Sequence, residues 1–138
     1  MLAQPWRMLY TTLIMALCAF AITHKEDKIL LVKIAPPFKE AYKWNFPGGV
    51  IEHGEDLKEG LAREVLEETG ISCKITTLRD QFSTENPEND ITIFEAKYQD
   101  GSIAVQEEEI LEAGWFTAAE ALELELAFDI RKYITEAQ

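Results

Sequence analysis

Cysteine is scarce in this chain. Cys18 and Cys73 stand far apart, with no CxxC pair and no histidine-rich partner stretch. That spacing supports neither a zinc site nor a disulfide framework, and both thiols read as buried side chains of a reducing compartment. Basic charge is short as well. Thirteen Lys and Arg face 25 Asp and Glu, for a formal net charge of −12, which argues against non-specific adhesion to nucleic acid or anionic membranes. An acidic protein can still handle phosphates if a divalent cation mediates the contact. Histidine is confined to His24 and His53, both read as exposed rather than catalytic. The uncharged run from Met8 to Thr23 is too short and too broken by threonine for a membrane span. It does resemble a leader, because Arg7 precedes it and Ala19-Phe20-Ala21 has the look of a small-residue cleavage site. The chain that follows favours another reading. "HKEDK" (24–28) is a polar turn and "ILLVKI" (29–34) a second apolar run, so the two runs read as a β-hairpin buried in a sheet. A cytoplasmic protein follows from that reading.

What is present is globular. With 138 residues, 47% of them hydrophobic and 28% charged, the chain is expected to form one domain over residues 1–138 with a core of its own. "APPFKEAYKW" (35–44) reads as a proline-broken loop, and "WNFPGG" as a short strand ended by Pro47. Residues 57–69 read as a helix, with Asp56 as N-cap, Glu59 three residues on, and Gly70 just past the end. Residues 71–78 and 91–98 read as strands, with the turn-forming "STENPEND" (83–90) between them. Asp100-Gly101 predicts a hairpin into "SIAV", "GWFT" a last short strand, and Thr117 with Glu120 the start of a C-terminal helical region running to about Glu136.

The predicted helix is unusually acidic. At about 100° per residue, Glu64, Glu67 and Glu68 crowd one side of it, while Leu61, Ala62, Val65 and Leu66 form a neighbouring apolar arc that packs on the sheet. Arg63 lies four residues from both Glu59 and Glu67, placed to tie the acidic side together. Carboxylates one turn apart repel unless something positive sits among them. Gly48 and Gly49 precede the helix on a turn where backbone can approach a ligand closely. Carboxylates, a carbonyl and waters make a hard oxygen site suited to Mg²⁺ or Mn²⁺. The plainer alternative is a solvated acidic face.

Gly49, Glu55, Arg63, Glu64, Val65, Glu67, Glu68, Gly70 and Ile71 fill every specified position of a known pattern, G-x5-E-x7-R-E-U-x-E-E-x-G-U with U apolar. The stretch resembles the Nudix box, and "ILLVK", "WNFPGG" and "EAGWFTAAEAL" are similar to its usual surroundings. The resemblance implies an α/β fold, an α/β/α sandwich around a central mixed β-sheet. It also implies a divalent-metal-dependent pyrophosphohydrolase that cleaves a nucleoside diphosphate linked to another moiety, by water attack on phosphorus. By position it makes Glu64, Glu67, Glu68 and the Gly49 carbonyl ligands of Mg²⁺ or Mn²⁺. Glu64 would be the general base, Glu55 a supporting acid, and Arg63 the residue that orients the carboxylates. In some members a later loop supplies the base or a further ligand, for which Glu107, Glu108, Glu109 and Glu112 are the candidates here, beside their reading as a solvated acidic loop.

The expected partner is a small nucleotide derivative: a nucleoside triphosphate, ADP-ribose or a nucleotide sugar. No stable nucleic-acid partner and no membrane are expected, and a homodimer would be in keeping with the resemblance. Pro87, 16 residues beyond Ile71, has a spacing similar to the ADP-ribose pyrophosphatase branch, whereas the longer signatures of the NADH- and coenzyme A-directed branches are not visible. Trp44, Phe82 and Phe94 are candidates to stack on a base, against their reading as core aromatics. Two alternatives stay open: a Nudix-fold ligand sensor without turnover, and an RNA 5′-end pyrophosphohydrolase.

Overall fold

The computed structural model describes residues 16–85 and 88–136. Its strands are β1 (Ala16–Lys25), β2 (Lys28–Ile34), β3 (Trp44–Asn45), β4 (Gly48–Val50), β5 (Ser72–Glu85), β6 (Glu88–Asp100) and β7 (Ile110–Thr117). The helices are α1 (Leu57–Thr69), α2 (Ala118–Leu122) and α3 (Arg131–Glu136). One seven-stranded sheet runs in the order β3-β2-β1-β6-β5, with β4 added to β1 and β7 added to β2. β1 and β6 are parallel, while the other pairs are antiparallel, so the sheet is mixed.

Strand β1 explains the layering. Its side chains alternate, Ala19 and Ala21 joining the core on the α1 side, Phe20 and Ile22 the core on the α2–α3 side. A strand buried on both faces is apolar throughout, which accounts for the absence of charge from Ala16 to Thr23. The expected hairpin is present, with Lys25 paired to Lys28 across the turn. Ala19-Phe20-Ala21 lies inside the sheet; the part of the apolar run before Ala16 lies outside the described residues. Leu61 and Val65 pack on one face, Ala121, Ile130 and Ile134 on the other. The α/β/α sandwich is therefore observed. No helix among the described residues is long and apolar enough to cross a membrane.

Three local expectations fail for physical reasons. "STENPEND" is largely strand: β5 and β6 pair through Ser83↔Asp90, Thr84↔Asn89 and Glu85↔Glu88, and residues 86–87, Pro87 among them, lie outside the described residues. "SIAV" is not a strand, because β6 is already paired on both edges, by β1 and β5. Instead the chain swings at Gly101 (φ 102°) onto the end of α1, where the Ala104 and Gln106 N–H groups donate to the carbonyls of Thr69 and Glu68. These are last-turn carbonyls that a helix cannot satisfy internally. The C-terminal helical region is broken between α2 and α3, where the Trp44 N–H donates to the Glu125 carbonyl and the Ala127 N–H to the Trp44 carbonyl. Cys18 departs from its buried reading: it is only partly buried, whereas Cys73 is buried as expected.

Helix α1 begins and ends as its sequence predicts. Asp56 accepts from the Glu59 N–H at 3.0 Å, and Gly70 follows the last turn at φ 78°. Asp56→Ala is expected to cost about 1 kcal/mol and to lower the melting temperature by roughly 4 °C, which thermal denaturation checks.

Candidate active site

The sheet-facing stripe of α1 runs through Leu61, Glu64, Val65 and Glu68, all under one tenth exposed. Spacing of i, i+3, i+4 and i+7 makes one helical face, so two carboxylates share the packed stripe with two apolar residues. Leu66, expected on that stripe, is half exposed instead. Burying ionised carboxylates costs several kcal/mol unless hydrogen bonds and opposite charge compensate. Here both are supplied. The Gly48 N–H donates to Glu68 Oε1 at 3.2 Å. Arg63 Nη1 donates to Glu64 Oε2 at 3.2 Å and to Glu67 Oε1 at 3.1 Å, so one nitrogen links two of the box carboxylates.

Arg63 is itself fixed by Glu55 rather than by Glu59. Its Nε and Nη2 donate to Glu55 Oε2 and Oε1 at 2.6 and 2.9 Å, a two-pronged pair. The Glu52 N–H also donates to Glu55 Oε1, at 3.2 Å. Glu55 and then the neighbouring carboxylates Glu64 and Glu67 hold the guanidinium above its ordinary pKa, so the charge is permanent. Sequence reasoning missed Gly60. A Cβ there would lie 2.8 Å from Glu55 Cδ, so a glycine inside the helix, normally a liability, is what admits the Glu55 carboxyl.

β4 brings the two glycines to this cluster. Gly48 pairs with Phe20 and Gly49 with Ala19, and a Cβ on Gly48 would run into the Ala19 carbonyl. The backbone that bonds Glu68 can therefore lie where it does only as glycine. Of the late acids, Glu112 is drawn toward Lys33 at 3.8 Å. The turn 107–109 starts one residue beyond the Gln106 N–H that donates to the Glu68 carbonyl, which sets it beside α1. His53 is exposed as expected, but His24 is tied to Glu95 at 2.7 Å.

No group of three or more His, Cys, Asp or Glu side chains among the described residues is drawn tightly enough to hold an ion as it stands. The donor chemistry nevertheless fits a hard divalent cation. Glu64, Glu67 and Glu68 offer carboxylate oxygens over one helical turn, next to main chain that glycine allows to approach. Arg63 bonds Glu64 and Glu67 in this arrangement while Glu68 accepts from the Gly48 N–H, so gathering three ligands around one ion requires side chains to turn.

On the other face of β1 lies a cavity of about 740 Å³. Phe20, Phe82, Ile91 and Ile93 make its apolar wall, while Asn45, Asp80 and Asp129 add polar groups. Asn89 also lines it, and its Oδ1 is a buried acceptor with no hydrogen-bond partner among the described residues. Of the three candidate stacking rings only Phe82, 42% exposed, reaches this space. Trp44 packs edge-on against Phe116, and Phe94 is buried in the core under α1. The cavity is assembled from four separate stretches of chain, and no spacing in the sequence signals it.

Comparison with known proteins agrees with the fold. The family model for the NUDIX domain matches residues 13–137. NudC of Salmonella paratyphi C, described as an NAD-capped RNA hydrolase, is 33% identical over 99 residues, 72% of this chain and 38% of that protein. The chain thus spans well under half the length of the curated relatives it matches. Among solved structures, a NUDIX hydrolase from Nitrosomonas europaea aligns with a TM-score of 0.78 at 29% identity, covering 88% of this chain and 70% of that one. The MutT protein from Methanosarcina mazei aligns at 0.75 and 27%, covering 88% and 91%.

A double-mutant cycle tests the clamp. Glu55→Ala and Arg63→Ala should show a coupling of about 1 kcal/mol in urea denaturation, shrinking in high salt because both groups are partly exposed. In a Gly60→Ala background that coupling should fall toward zero.

Proposed function

Since the chain belongs to the Nudix hydrolase family, we propose that it is a divalent-metal-dependent pyrophosphohydrolase of a nucleoside diphosphate linked to another moiety. A nucleoside triphosphate, ADP-ribose or a nucleotide sugar fits that description. The observation that carries the reading is the pair of carboxylates, Glu64 and Glu68, buried at the seam between α1 and the glycines of β4. A fold does not spend buried charge on solvation, and a solvated acidic face would leave these two residues outside.

Glu64, Glu67, Glu68 and the Gly49 carbonyl would hold Mg²⁺ or Mn²⁺, the kind of ion the family generally uses. Bound there, the ion would neutralise phosphate oxygens and lower the pKa of an attacking water. The remaining work falls to the chain. Glu64 takes the proton of that water, and its burial keeps the carboxylate away from competing solvent. Arg63 aims Glu64 and Glu67 through one nitrogen, and Glu55 keeps Arg63 from swinging away. The cavity beyond β1 takes the base, with Phe82 as an apolar wall and Asn89 Oδ1 as an acceptor for a donor on its edge. Phosphates would then cross the Gly48–Gly49 seam from cavity to acidic cluster, since Phe20 on the cavity side pairs with Gly48.

Two measurements test this. A panel of nucleoside triphosphates, ADP-ribose, nucleotide sugars and dinucleoside polyphosphates should include at least one that is hydrolysed with Mg²⁺ and not after chelation. Glu64→Gln should then lower kcat by about 10²–10⁴-fold, Glu55→Gln by less. Undiminished turnover in Glu64→Gln would remove Glu64 as the base. Nucleotide binding without turnover anywhere in the panel would make the chain a sensor.

A further inference from the structure

The mouth of the cavity is built from two loops in an unusual backbone state. Glu40 (φ 66°) and Tyr42 (φ 72°) lie in the connection from β2 to β3, and Phe128 (φ 52°) in the break between α2 and α3. Residues bearing a Cβ seldom adopt such angles without a partner that holds them there. Here the partner is identifiable. Glu40 Oε1 accepts from the Phe128 N–H at 3.1 Å, while its Oε2 accepts from Lys43 Nζ at 2.7 Å. One carboxylate therefore clasps the two loops, 88 residues apart in sequence. Those same two contacts, Lys43 first, keep Glu40 below the usual carboxylate range and so charged at neutral pH.

What the clasp holds is a ring. Phe128 lines the cavity and is 57% exposed, and Phe82 lines it from β5 at 42%. Two half-exposed phenyl groups bordering one apolar space offer flat surfaces to a flat ligand, worth little to folding and a good deal to stacking. The Cα–Cβ bond that carries the Phe128 ring is set by its backbone, and that backbone is tied by Glu40 and by the adjacent Ala127 N–H donating to the Trp44 carbonyl at 2.8 Å.

We infer that Glu40 is a positioning residue for ligand recognition: through its hydrogen bond to the Phe128 N–H it sets the Phe128 ring as a stacking wall for the planar base of a nucleotide. The inference deepens the hydrolase reading and takes from it only the class of ligand. Glu40 touches neither the acidic cluster nor the reacting phosphates, so its effect falls on binding of the base.

The test is equilibrium binding to the full chain, by calorimetry without metal, of the four common nucleoside monophosphates and of ribose 5-phosphate, which has the phosphate and sugar but no base. Wild type should bind at least one nucleoside monophosphate more tightly than ribose 5-phosphate. Phe128→Ala should weaken that complex about tenfold, the loss of one stacking surface, and Glu40→Ala by a similar factor. The double variant should be no weaker than Phe128→Ala alone, because Glu40 acts through the ring. Glu40→Gln, whose amide oxygen still accepts from the Phe128 N–H, should restore most of the affinity, and ribose 5-phosphate should bind every variant equally. If Glu40→Ala melts too low to titrate, Glu40→Met, which keeps the bulk and lacks the acceptor, takes its place.

Wild-type affinity in Glu40→Ala, additive losses in the double variant, an equal loss for ribose 5-phosphate, or no preference for a base in wild type would each overturn the inference. Weakened base binding together with no hydrolysis of any diphosphate would leave the inference standing and remove the hydrolase reading. Normal hydrolysis with Glu40 irrelevant to binding would do the reverse.

Discussion

Two carboxylates buried where a helix meets a sheet set the terms for much of this molecule. Glu64 and Glu68 occupy the stripe of α1 that also carries Leu61 and Val65, so the packing that holds the helix also removes charge from water. Such burial is tolerated only with compensation close by. Glu68 has the Gly48 N–H, which requires a residue without a Cβ beside the Ala19 carbonyl. Glu64 has Arg63, Arg63 has Glu55, and Glu55 has the space over Gly60. Each link exists because the previous one would otherwise leave a charge badly placed.

The sheet turns that arrangement into a site with two ends. β1 points Ala19 and Ala21 toward α1 and Phe20 toward the cavity. The acidic cluster and the apolar cavity thus lie on opposite sides of the same strand. A ligand with a charged end and an apolar, planar end matches that polarity. A ligand with only one of them would leave half of it unused.

Much of α1 was legible in the sequence because its signals are local. Asp56, Gly70 and the spacing of the acids act within a turn or two of themselves, and the helix obeys them. The sandwich was legible mainly through resemblance, although the buried hairpin could be read from the apolar runs on either side of "HKEDK". The failures are non-local. Nothing near "SIAV" reveals that both edges of β6 are taken, and nothing in the C-terminal region reveals that residues 125–127 bond to Trp44. Leu66 and Glu64 flank Val65, so periodicity alone left the packed stripe free to include either; the sheet chose Glu64. Arg63 was placed within reach of Glu59 by helical spacing, yet the stronger partner, Glu55, precedes the helix and lies outside that arithmetic.

The segment from Trp44 to Gly48 joins the two ends mechanically. Trp44 bonds the 123–130 stretch, Asn45 and Phe46 line the cavity, and Gly48 bonds Glu68, all within five residues. A shift at the cavity mouth therefore has a short covalent path to the acidic cluster, with Pro47 limiting how the backbone can absorb it. Substitutions on β5 can reshape the cavity without touching that path. Changes within 44–48 cannot, because they move the cavity wall and the Glu68 hydrogen bond together. Base recognition is thus adjustable from the periphery, while the seam between the two faces of β1 has little freedom to vary.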